Sequence, residues 1–159
     1  MPKIVKEELF RLVDLPALYI VTTNGVVTRN GALVMGAGAA KQLVQRAPGI
    51  DEEAGAFVVH SGVPQAGRPG VYQYGFLAIR SPLADKVGIG IFQTKYEWQH
   101  NSHLPLIDLS VSGLVRYAYD NPRVSIRMNY PGIGLGGLTK EQVEPILDVL
   151  PQNVTVCYR

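Results

Sequence analysis

The chain of 159 residues holds one cysteine, three histidines and no long hydrophobic run. With Cys157 alone, no disulfide can close within the chain and no zinc cage can be built from thiolates. His60, His100 and His103 are too scattered to suggest a metal site. His100 and His103 could share a helix face, but they read as exposed polar residues near a helix start. No metal and no cofactor are therefore expected. No apolar stretch reaches the ~18 residues of a bilayer span. The first residues include Glu7 and Glu8 and lack the apolar core of a signal peptide. The expectation is a cytoplasmic protein with no membrane partner. A surplus of one charge is also missing: 15 basic residues against 13 acidic ones leave +2. That balance gives no argument from charge alone for nucleic-acid binding, although a small basic patch at one site is compatible with it.

What is present is an ordinary globular composition, 47% hydrophobic and 18% charged, of a length suited to one domain over residues 1–159. Lys3–Val5, Leu18–Thr23, Ala56–His60, Val71–Arg80, Val87–Gln93, Val124–Asn129 and Val154–Tyr158 read as strands. Several are nearly continuous apolar runs, as in strands covered on both faces. Helices alternate with them. One is predicted from near Gly38 to about Arg46, ended by Pro48-Gly49. Leu104, Ile107, Val111, Leu114, Val115 and Ala118 mark the apolar face of another, with Ser102 as candidate cap and Asn121-Pro122 as its stop. Thr139 and Gln142 form a capping-box pattern for the last, whose stripe is Val143, Ile146, Leu147 and Leu150. Pro145 is awkward inside it. Ser61–Gly70 reads as a loop joining two strands. The alternation predicts an α/β fold of three layers, a mixed sheet between helices. Ligands of such folds sit beyond the carboxyl ends of the strands.

Three clusters fall at such strand ends. Thr22-Thr23-Asn24-Gly25 closes a strand. After it, Met35, Gly36, Ala37, Gly38 and Ala39 make a loop of mostly small residues leading into a helix, where free amides and the positive dipole end suit a phosphate. The loop lacks the Lys-Ser/Thr pair of a Walker motif and the spaced glycines of a dinucleotide fingerprint. The second cluster, Tyr130-Pro131-Gly132-Ile133-Gly134-Leu135-Gly136-Gly137-Leu138, also lies between a strand and a helix. Either loop alone is explained equally well by tight packing of helix on sheet. Together they could clamp a diphosphate. The third cluster is Phe92-Gln93-Thr94-Lys95-Tyr96-Glu97-Trp98. By itself Lys95 reads as a nucleophile, a phosphate contact or a solvated charge. Trp98 reads as a base-stacking cap or a rim aromatic.

The order of these motifs, from Ile4 to Val156, resembles the macrodomain family. In that family a strand ending in asparagine precedes a glycine-rich phosphate loop, and a Pro-x-Ile-Gly-x-Gly-type loop follows much later. The run Phe92–Trp98, with Ser102 and the helical Ser112-Gly113-Leu114, is similar to the branch containing antitoxin macrodomains that reverse DNA ADP-ribosylation and terminal ADP-ribose protein glycohydrolases. The resemblance implies ADP-ribose, or an ADP-ribosylated protein or nucleic acid, as partner. Lys95 matches that branch's catalytic lysine. Asn24 matches the asparagine that helps position the distal ribose. Met35–Ala39 and Pro131–Gly137 match the phosphate loops. Glu8 stands near the family's adenine-binding acid, but the usual Gly-Asp/Asn there reads Glu7-Glu8. The second loop also lacks the aspartate that some lysine-dependent members carry, leaving Glu97 as the nearby candidate acid, and Val26–Ala32 is an insert.

The mechanism this implies is attack by neutral Lys95 on the anomeric carbon of the distal ribose, displacing a carboxylate or a base nitrogen. It requires a lowered lysine pKa. A non-catalytic ADP-ribose reader and an ADP-ribose 1''-phosphate phosphatase are the alternatives within the family. A partner-binding α/β domain is the alternative outside it.

Overall fold

A computed structural model describes residues 1–159. Its elements in chain order are β1 (Lys3–Lys6), β2 (Ala17–Thr23), α1 (Gly38–Arg46), α2 (Ile50–Ser61), β3 (Val63–Pro64), β4 (Tyr72–Gln73), β5 (Phe76–Arg80), β6 (Gly88–Gln93), α3 (Leu104–Asp120), β7 (Ser125–Asn129), α4 (Lys140–Leu147) and β8 (Val154–Tyr158). A short 3-10 turn occupies Gly134–Gly136.

Six strands form one sheet in the order β1-β8-β7-β2-β6-β5, and β3 and β4 make a separate two-stranded hairpin. Every neighbour pair of the six is parallel except β5 with β6. The sheet is therefore mixed, and helices cover both faces. The period of two along a strand divides the core. Leu18 and Ile20 of β2 join Phe92, Ile126 and Met128 under α3 and α4. Ala17, Tyr19 and Val21 join Ile89 and Ile91 under α1 and α2. This is the predicted three-layer arrangement, with β2 buried at its centre.

The predicted strand Ala56–His60 is instead the last part of α2. Its buried residues Ile50, Ala54, Gly55 and Val58 follow a helical spacing, while Phe57 and Val59 are exposed. Asp51, Glu52 and Glu53 occupy its first turn, where negative charge offsets the positive end of the helix dipole. The β-branched pair Val58-Val59 looked strand-like, but the longer-range 3.6 period decides. Gly55 sets how near α2 comes to the Val26–Ala32 insert: a Cβ there would lie 1.8 Å from the carbonyl oxygen of Gly31. The stretch Ser61–Gly70 consequently leaves a helix rather than a strand and includes β3. The predicted strand Val71–Arg80 is divided into β4 and β5 by a turn at Tyr74-Gly75, where Gly75 has φ of 73°.

The other helices start close to where the residue patterns put them. The capping box of α4 forms as predicted: Gln142 N donates to Thr139 Oγ1 at 3.3 Å and Thr139 N to Gln142 Oε1 at 2.9 Å. Pro145 lies inside α4, which ends two residues later. Ser102 does not cap α3. The cap position is His103, and no side chain bonds there: Pro105, the second helical residue, has no amide to satisfy, and Leu106 N donates to His103 O at 3.0 Å.

Candidate functional site

Because β2, β6 and β7 run parallel, their carboxyl ends open on one edge of the sheet. The order β7-β2-β6 puts Asn24 between Asn129 on one side and Thr94-Lys95 on the other. A crevice of about 560 Å³ lies over this edge. That size suits a nucleotide-scale ligand.

The two small-residue loops face each other across it. Gly36, Ala37, Gly38 and Ala39 line one wall and Gly132, Ile133, Leu135 and Gly136 line the other. Ala37 caps α1 with no side-chain hydrogen bond, so the first-turn amides of this nine-residue helix stay free. The backbone amides of Gly36, Ala37, Gly132 and Ile133 donate to no group in the protein. Nothing lies within 4 Å of a Cβ built on Gly36 or Gly38, so both present open backbone to the crevice. Such unpaired amides are anion-binding groups.

Lys95 is the only cationic residue on the wall, and no carboxylate lines it. Burial pushes its ammonium pKa below the ordinary lysine value. Its backbone is held from several sides. Thr94 N donates to Thr23 O at 3.0 Å, and Gln93 Nε2 donates to both Tyr72 O at 2.9 Å and Lys95 O at 3.3 Å. Gln93 is itself fully buried, and its Oε1 accepts from Tyr74 N and Gly75 N. The β4–β5 turn thus fixes the strand end that carries Lys95. Trp98 reaches the crevice mouth and is more than half exposed.

The side chain of Asn24 works as a latch. Its Nδ2 donates to Val34 O at 2.9 Å and its Oδ1 accepts from Val26 N at 2.9 Å, tying the insert and the first loop to the end of β2. One Nδ2 hydrogen and one Oδ1 lone pair remain for a ligand. Beneath it, Tyr74 Oη donates to Asn24 O at 2.9 Å, and burial raises the phenol pKa well above its usual value. Asn129 was not singled out in the sequence. Its Oδ1 accepts from Thr22 N at 3.0 Å and its Nδ2 donates to Thr22 Oγ1 at 2.7 Å, with the residue on the crevice wall. The signal was available: Asn129 ends an apolar strand before Tyr130-Pro131 as Asn24 ends one before Gly25. Tyr130 also lines the wall, and burial pushes its pKa up to about 12, with Glu144, Glu141 and Asp148 adding to the shift.

Most of the expected site residues meet here: Asn24, Met35, Gly36, Ala37, Gly38, Ala39, Lys95, Gly132, Ile133, Leu135 and Gly136. Pro131, Gly134 and Gly137 belong to the same loop but do not form the wall. Glu8 is not brought to it. Arg127 of β7 grips the chain after β1 through Glu8 O at 2.8 Å and Leu9 O at 3.0 Å, and the exposed Glu8 carboxylate pairs with Arg159 at 3.1 Å. Glu97 is also outside the wall. Its carboxylate bonds to Arg68, with His100 Nδ1 at 3.8 Å, and the Arg68 hydrogen bond holds its pKa below the usual glutamate range. An acid held ionised in this way is a poor proton donor at neutral pH.

No family model and no curated protein matches the chain. Solved structures are. The macrodomain of Mycobacterium tuberculosis DarG superposes with a TM-score of 0.75 at 25% identity, covering all of this chain and 98% of that one. The macrodomain of Thermus aquaticus DarG gives 0.68 at 27% identity, with the same coverage. Thermosipho africanus DarTG in complex with ADP-ribose gives 0.57 at 21% identity over 87% of this chain and 37% of that one, a likeness of fold.

Proposed function

Since this chain is a macrodomain similar to those of DarG, we propose that it binds ADP-ribose and removes it from a modified macromolecule, with residues 1–159 acting as one domain. The observation that carries the reading is the facing pair of loops with free amides at Gly36, Ala37, Gly132 and Ile133. A wall with unpaired donors, one cation and no carboxylate suits a diphosphate. The Thermosipho relative, whose fold is the same, was solved in complex with ADP-ribose.

Catalysis is assigned to Lys95, with Asn24 positioning the distal ribose. With its ammonium pKa lowered by burial, Lys95 offers a larger fraction of neutral amine at a given pH than a solvated lysine does. Nζ attacks the anomeric carbon; the bond to the carboxylate oxygen or base nitrogen breaks, and the leaving group takes the electron pair. The proton shed by Nζ as the C–N bond forms neutralises the leaving group through water, so no separate acid is required. Water then hydrolyses the linkage and frees the lysine and ADP-ribose. The modified partner is a protein carboxylate or a nucleic-acid base. The reader alternative draws on the same wall: with Glu97 engaged by Arg68, no carboxylic acid lies at the leaving group.

The test compares the parent with Lys95→Ala on ADP-ribosylated DNA and on an ADP-ribosylated carboxylate protein, with calorimetry for ADP-ribose. Turnover of at least one substrate by the parent, lost in the variant with ADP-ribose affinity retained, is expected. A parent that binds ADP-ribose and cleaves neither substrate is a reader. A parent that does not bind it overturns the proposal entirely.

A further inference from the structure

Among buried side-chain polar atoms, Ser102 Oγ alone has no hydrogen-bond partner. The residue is 9% exposed and forms part of the crevice wall. Leaving a buried hydroxyl unpaired carries a desolvation cost, so the fold gains nothing from it. The rest of the residue is well used. Ser102 N donates to Gly136 O at 2.7 Å, and the next amide, His103 N, donates to Thr94 O at 2.9 Å. Ser102 thereby joins the second glycine-rich loop to the strand end before Lys95. The hydroxyl lies so close to that loop that a Cβ on Gly136 would come within 2.5 Å of Oγ. Glycine at 136 is what leaves room for a hydroxyl there.

We infer that Ser102 is a ligand contact: its hydroxyl donates a hydrogen bond to a phosphate oxygen of the diphosphate held between the two loops. This rests on the ADP-ribose reading above. Without a ligand acceptor, Oγ is shielded from water against Gly136. It turns toward the ligand about its single Cα–Cβ torsion when an anionic acceptor arrives. A pairing to a charged oxygen replaces an unpaired state, so the contact favours the bound form and disfavours the empty one. The arrangement also explains why the loop between Lys95 and α3 returns to the glycine-rich loop instead of capping its own helix.

The experiment is Ser102→Ala in the whole chain, with calorimetry for ADP-ribose and ADP and a thermal melt without ligand. Alanine is smaller and cannot clash. Affinity for both ligands is expected to fall about tenfold to a hundredfold, the effect of one hydrogen bond to a charged acceptor. The melting temperature of the empty protein is expected to hold or rise, because an unpaired buried hydroxyl has been removed. A residue that is merely structural would give the reverse: a lower melting temperature with affinity unchanged. Parent-like affinity for both ligands overturns the inference while leaving ADP-ribose binding intact. A loss confined to ADP-ribose, with ADP unaffected, overturns the phosphate assignment. A parent that binds neither ligand overturns this inference together with the function it rests on.

Discussion

Replacing Asn24 with alanine tests whether this residue holds the first loop in place as well as facing the ligand. Two hydrogen bonds disappear, Nδ2 to Val34 O and Val26 N to Oδ1, each 2.9 Å long. The Val26 amide has no other acceptor in the protein. An orphaned buried polar group costs about 1–3 kcal/mol. Val26 and Val34 are only half-buried, so crevice water recovers part of this and the lower half of the range applies at each end. The sum is about 2–4 kcal/mol, which corresponds to about 4–16 °C in melting temperature for a chain of this size. The assay is a thermal melt without ligand, paired with amide hydrogen exchange across Val34–Ala40. Faster exchange in that segment should accompany the lower melting temperature, since the tie from β2 to the loop is gone. If the variant melts within about 1 °C of the parent and exchanges identically while losing ADP-ribose affinity, Asn24 is a ligand contact and not a latch, and the reasoning fails.

The remaining predictions concern charge. Gly36→Glu should abolish ADP-ribose binding with folding intact, because its φ is not positive, its Cβ meets open space and the carboxylate enters a wall of free amides; parent-like affinity by calorimetry would remove the first loop from the site. Gly136→Glu is a poorer test, since its Cβ strikes Ser102 Oγ. The rate of ADP-ribose removal should rise with pH through the Lys95 pKa, which burial sets below the ordinary 10.5. In the same window the unfolded chain, with its normal lysine, binds the more protons, so stability also rises with pH. A pH–rate profile whose rising limb sits at or above the ordinary lysine value would exclude the buried amine as the nucleophile.

The fold was legible where a period ran long enough to be unambiguous. The stripe from Leu104 to Ala118, the Thr139–Gln142 box and the helix from Gly38 to Arg46 depend on side chains near in sequence, and they appear where the residues put them. Ala56–His60 reads as a strand because Phe57, Val58 and Val59 in isolation fit both periods, and only the buried face that Val58 shares with Ile50 and Ala54 separates them. The crevice was legible in outline. Small-residue loops after apolar strands announce free backbone, and parallel order brings them together.

The residues by themselves determined which strands end in amide-rich loops, that one lysine stands beside them, and that no disulfide can close within a chain holding one cysteine. These are properties of composition and local spacing. The tertiary structure decided which polar groups remain free once the chain has satisfied itself. It committed most of Asn24 to the first loop, Glu97 to Arg68 and Glu8 to Arg159. It also left Ser102 Oγ and the four loop amides without partners. Those pairings join residues up to 151 positions apart. A hydrogen bond acts over about 3 Å in space whatever the distance along the chain, so no local pattern of residues could have assigned them.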